Sequence, residues 1–140
     1  MRNPALPALS LALLLLALAG GGALACEPAL SGPEVRRVEA GDLVLAFRPE
    51  PERIRVGRPF ALDISVCSRS GADMPSSLKV DATMPEHRHG MNYRPSVNTT
   101  APGSFRADGF MFHMPGRWEF AFEVPSSGKS ERLRTSVVIE

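Results

Sequence analysis

Apolar side chains in this chain recur at every second position in short runs, and the part of the chain that would remain after export nowhere sustains a helical period over three turns. Phe60, Leu62, Ile64 and Val66 give the cleanest run; Leu43, Leu45 and Phe47 precede it, and Leu78, Val80 and Ala82 follow. A period of two puts one face of a strand in a core and the other in water. Phe105 to Phe112, Trp118 to Val124 and Leu133 to Ile139 continue the series, separated by turn formers such as Pro115-Gly116 and the Pro125 to Gly128 stretch. Short strands between regular turns predict an all-β fold, an antiparallel β-sandwich of about seven strands.

The amino-terminal stretch predicts export. Arg2 supplies a positive start, Leu9 to Ala19 is almost wholly apolar, and Gly20-Gly21-Gly22 would break a helix. Ala23-Leu24-Ala25 then fits the small-x-small pattern of a signal-peptidase site, and the apolar run is short for a bilayer span. Residues 1–25 are therefore expected to be a secretory signal, leaving no integral span after cleavage and a periplasmic or secreted product. Residues 26–40, with Pro, Gly and charges, are expected to form an irregular lead-in, and residues 41–140 one domain. About 115 residues suffice for a single core. Without Arg2 the 16 basic residues become 15, matching the 15 acidic ones. A balanced charge gives no footprint for nucleic acid or an anionic membrane surface.

Two cysteines remain, Cys26 and Cys67. Ala23-Leu24-Ala25-Cys26 is also an imperfect lipobox, so Cys26 has two fates. A lipid on its sulfur would leave Cys67 an unpaired thiol in an oxidising compartment; a Cys26–Cys67 disulfide accounts for both.

The chemistry is concentrated in MPEHRHGMNY, residues 84–93, and in Met111, Phe112, His113 and Met114. All three histidines, and four of the five methionines after residue 25, fall between residues 84 and 114. If the strand beginning at Leu78 runs on in extended form past Pro85, His87, His89, Met91 and Tyr93 share one side. Pro85, which cannot donate to a ladder, is the expected place for a change of face. Met111 and His113 would share a side of the second cluster. Imidazole suits copper, zinc and nickel, whereas thioether sulfur favours Cu(I); calcium and magnesium want oxygen. His87, His89, Met91 and His113, followed by Met111 and Met114, are thus candidate ligands for copper, as Cu(I) or Cu(II). A blue-copper site is not expected, because no cysteine lies near these residues. Each residue taken singly also has a plain packing explanation, since methionine fills gaps in cores and His-Arg-His suits a solvated loop.

The segments MPEHRHGMNYRPSV and FMFHMPGRWEFAFEV resemble the small exported YtkA-like domains, relatives of the FixH-like proteins, over roughly residues 40 to 139. The resemblance implies an immunoglobulin-like sandwich, places His87, His89, Met91 and His113 in the family's motif, and suggests copper handling or cytochrome oxidase assembly. A membrane oxidase or copper-handling protein would then be the partner. FixH-like proteins generally keep a membrane anchor that this chain is expected to lack. No Ser-His-Asp pattern, phosphate loop or paired carboxylates mark an enzyme. The two functions left are a periplasmic copper-binding or copper-transfer domain and a metal-free interaction module docking on a membrane complex.

Overall fold

A computed structural model describes Met1, residues 26–126 and residues 128–140; the expected signal sequence, apart from Met1, lies outside the described residues. The fold is all-β, as the alternation predicts, and no helix among the described residues is long and apolar enough to cross a membrane. The first sheet carries five strands in the order β1 (Arg36–Ala40), β2 (Leu43–Glu50), β3 (Pro59–Ser68), β7 (Ser104–Met111) and β6 (Ser96–Ala101). The second carries four: β5 (His89–Gly90), β4 (Lys79–Met84), β8 (Gly116–Ser126) and β9 (Lys129–Ile139). Every neighbouring pair is antiparallel.

Among the described residues nine strands stand where about seven were expected, and the additions share a physical cause. β1 falls inside the expected irregular lead-in; it is an edge strand whose Arg36, Arg37 and Glu39 are exposed, so only Val38 and Ala40 hint at a face. β6 is an edge strand of Ser, Asn and Thr with Val97 alone half-buried, and β5 has two residues. Edge strands of this kind carry little apolar period to detect.

The inward faces meet in one core. Leu45 and Phe47 of β2, Leu62 and Ile64 of β3, Phe105 and Phe110 of β7, and Trp118, Phe120 and Phe122 of β8 are all buried. Each such side chain contributes about 1.5–3 kcal/mol relative to leaving it in water. Phe60 stacks on Phe110 at 5.1 Å between ring centres, and Phe47 meets Phe120 edge-on at 5.6 Å across the two sheets. Two of the outward residues of β8 are ion-paired to β9: Glu119 with Arg134 at 2.6 Å and Glu123 with Arg132 at 3.6 Å.

Cys26 is disulfide-bonded to Cys67 near the end of β3. The bond uses the sulfur that a lipid anchor would need, and it ties the lead-in to the first sheet. Three connections gather at the opposite end of the sandwich: residues 51–58, 85–88 and 112–115. The Gly57 N–H donates to the Phe112 carbonyl at 2.7 Å, joining the first of these to the third.

Candidate metal centre

The expected extended run through Pro85 does not form. β4 stops at Met84, and residues 85–88 make a tight turn closed by the His87 N–H donating to the Met84 carbonyl at 3.1 Å. Arg88 then adopts a left-handed backbone, φ 55°, which reverses the chain into β5 so that His89 faces Met84 across the hairpin. Proline fits the start of a turn as well as it fits a break in a ladder, and the left-handed position is filled by arginine rather than the glycine or asparagine that would mark it. His87 is thus at a turn and His89 on the returning strand, not two steps along one face.

The turn nonetheless brings the imidazoles together. The ring centres of His87 and His89 are 5.8 Å apart, and those of His89 and His113 are 5.0 Å apart. His113 arrives from the β7–β8 connection, just past the fully buried Phe112. His87 and His113 are exposed and His89 is half-buried. Trp118 forms the floor of the cluster. Its indole stacks on Phe112 at 4.3 Å, its Nε1–H donates to the Met114 carbonyl at 3.1 Å, and it meets His89 and His113 at steep angles, 5.9 and 5.4 Å between centres. Trp118 itself is wholly buried.

The sequence points to Trp118 as core but not as the floor of this cluster. The signal lay in the Pro115-Gly116 turn, which folds Trp118 back beside His113. Gly116 has φ +124°, and a Cβ there would come within 2.7 Å of the Met84 terminal methyl, so this turn packs directly on the hairpin that carries His87 and His89. Glycine is the residue that permits both the backbone and the approach.

The thioethers are placed differently from the imidazoles. Met91 and Met114 are half-buried against the hydrophobic core, and Met111 ends β7 opposite Pro59. Glu86 pairs with Arg117 at 3.1 Å rather than serving the histidines. One ring contact bears on ligation: His89 Nδ1 lies 3.1 Å from the Gly90 carbonyl. With Nδ1–H donating there, the lone pair sits on Nε2, the arrangement that fixes a ligand histidine's tautomer. Among the described residues no three His, Cys, Asp or Glu side chains already hold their donor atoms around one metal position.

The two sheets, ordered β1-β2-β3-β7-β6 and β5-β4-β8-β9, have the strand arrangement of an immunoglobulin-like sandwich with one strand added at the β2 edge. Comparison with known proteins finds no family model and no curated protein that matches the chain.

Proposed function

We propose that the chain is an exported, periplasmic copper-binding domain that grips the ion with His87, His89 and His113 and passes it to a partner in metal handling or oxidase assembly. The observation that carries this reading is the clustering of His87 and His113 on either side of His89, from the β4–β5 hairpin and the β7–β8 connection, at one end of the sandwich. The spacing suits ligation. With a metal–imidazole bond of about 2.0–2.1 Å, two rings on one ion have centres roughly 4.5–6 Å apart, and the observed 5.8 and 5.0 Å fall in that interval. His89, half-buried and hydrogen-bonded to Gly90, is the fixed ligand; the exposed His87 and His113 supply the rotation that closes the set. Met91, Met111 and Met114 are the thioethers nearest in sequence to these imidazoles, and their softness favours Cu(I). The resemblance of MPEHRHGM and MPGRW to YtkA-like and FixH-like proteins points the same way.

Trp118 is the chain's one tryptophan, so its fluorescence reports on the rings that touch it. Titration of the parent with Cu(II) is expected to quench it, and the combined His87→Ala and His89→Ala variant to lose both the quenching and the affinity measured against a Cu(I) chelator. Met91→Ala is expected to weaken Cu(I) more than Cu(II). Equal copper affinity in the parent and the double variant overturns the reading and leaves the metal-free docking module.

A further inference from the structure

We propose that the connection of residues 51–58 is a binding site for a doubly charged phosphate group, held by Arg53, Arg55 and Arg58. The segment reads Pro-Glu-Arg-Ile-Arg-Val-Gly-Arg. Ile54 and Val56 are half-buried against the core, while Arg53 and Arg55 between and before them are exposed. This alternation is that of an extended chain anchored on its apolar side. The backbone is fixed as well: the Gly57 N–H donates to the Phe112 carbonyl at 2.7 Å, and the Arg58 N–H to the Arg55 carbonyl at 3.2 Å. Gly57 takes the left-handed φ of 68° at this turn, a conformation that glycine adopts without strain. The three arginines are therefore presented from a backbone that is already in place.

With Pro51, Pro59 and Phe60 they line one open hollow of about 540 Å³, within the roughly 300–1,000 Å³ typical of ligand sites. Among the described residues no carboxylate lines it. Glu52 borders a neighbouring hollow with Glu34 and Arg36, which Arg53 also reaches, and Glu50 stands at the end of β2 opposite Ala61. Arg37, Arg106 and Arg134 elsewhere on the surface are paired with carboxylates, whereas Arg53, Arg55 and Arg58 take part in no ion pair among the described residues. Three guanidiniums around one hollow repel one another, and an anion among them offsets that repulsion. Their number selects the anion. A planar carboxylate is saturated by one bidentate guanidinium, whereas the terminal oxygens of a phosphate point to different sides and accept from several. The exposed rings of Pro51 and Pro59 give the hollow an apolar rim for a group esterified to the phosphate.

The test uses protein stripped of metal and then freed of chelator, so that its outcome is independent of copper and no polycarboxylate competes. The probes are inorganic phosphate, phenyl phosphate, citrate and phosphatidylglycerol vesicles, each added in a chloride buffer. Both soluble phosphates are expected to bind and to shift the Arg55 and Arg58 amide resonances. Tighter binding of phenyl phosphate assigns a monoester as the ligand, and equal binding assigns the free ion. The variant combining Arg53→Ala, Arg55→Ala and Arg58→Ala should bind either phosphate at least about tenfold more weakly, since each charge-assisted hydrogen bond it removes is a strong one. Lysine at the same three positions keeps the charge without the fork and should recover only part of that loss. All three side chains are exposed, so both variants should keep the parent's urea midpoint. Equal phosphate affinity in the parent and either triple variant overturns the proposal. So does citrate bound as tightly as the phosphates, or binding of the vesicles and of neither soluble phosphate.

Discussion

Trp118 shows how one residue can serve the core and the candidate site together. Its indole is buried on the Phe112 ring while its edge and remaining surface meet His89 and His113. Replacing it with alanine removes those contacts and leaves a cavity, for which about 3–5 kcal/mol is typical. Trp118→Ala is therefore expected to lower the unfolding free energy by an amount of that order, read as a lower urea midpoint at unchanged slope, and to loosen the histidines as well. A midpoint equal to the parent's would refute the inward placement of Trp118, Phe120 and Phe122. The period of two along β8 made that placement legible in sequence. The contact between Trp118 and two imidazoles was not legible, because it depends on how the β7–β8 turn and the β4–β5 hairpin pack on each other through Gly116 and Met84.

Among the elements, those with an inward apolar face were readable and those without one were not. β3, β4 and β8 follow from the pattern alone, whereas β1 and β6 lie at sheet edges with charged or hydroxyl side chains in water. The hairpin at residues 85–88 escaped for another reason: Arg88 occupies the left-handed position on which turn recognition relies. Turns elsewhere are held by side chains, and the β1–β2 turn gives a testable case. The Asp42 carboxylate accepts from the Ser68 hydroxyl, from the Ser70 hydroxyl at 2.6 Å and from the Ser70 N–H at 2.8 Å, binding this turn to the end of β3. Ser68 first, then Ser70, hold the Asp42 carboxyl below its ordinary range. A carboxyl lowered in the folded state stabilises it at pH values above its unfolded range, and the gain is lost as acid protonates the folded group. Asp42→Asn should thus be less stable than the parent at neutral pH, with the difference shrinking as the pH falls through the carboxylate range. A difference independent of pH would contradict this.

At the scale of the whole molecule, the Cys26–Cys67 bond adds a covalent constraint to the sandwich. The cysteines are 41 residues apart in sequence, and in the chain-entropy account a loop of that size stabilises the fold by about 4 kcal/mol. Intact mass should rise by two hydrogens on reduction, and the reduced protein should unfold at a lower urea concentration; an equal midpoint would mean that the lead-in contributes nothing. The even cysteine count made the pair legible, but not which end of the sandwich it occupies. β3 runs from Pro59 at the histidine end to Cys67 at the other, a span of roughly 27 Å at about 3.3 Å per residue. The last strand returns to the histidine end, where Ile139 pairs with Gly116. The choice of handle for purification therefore matters. A polyhistidine tail after Glu140 would add imidazoles near the histidine end and compete for whatever metal is titrated, whereas a handle joined at the Cys26 side would sit about the length of the sandwich away and leave the measurement clean.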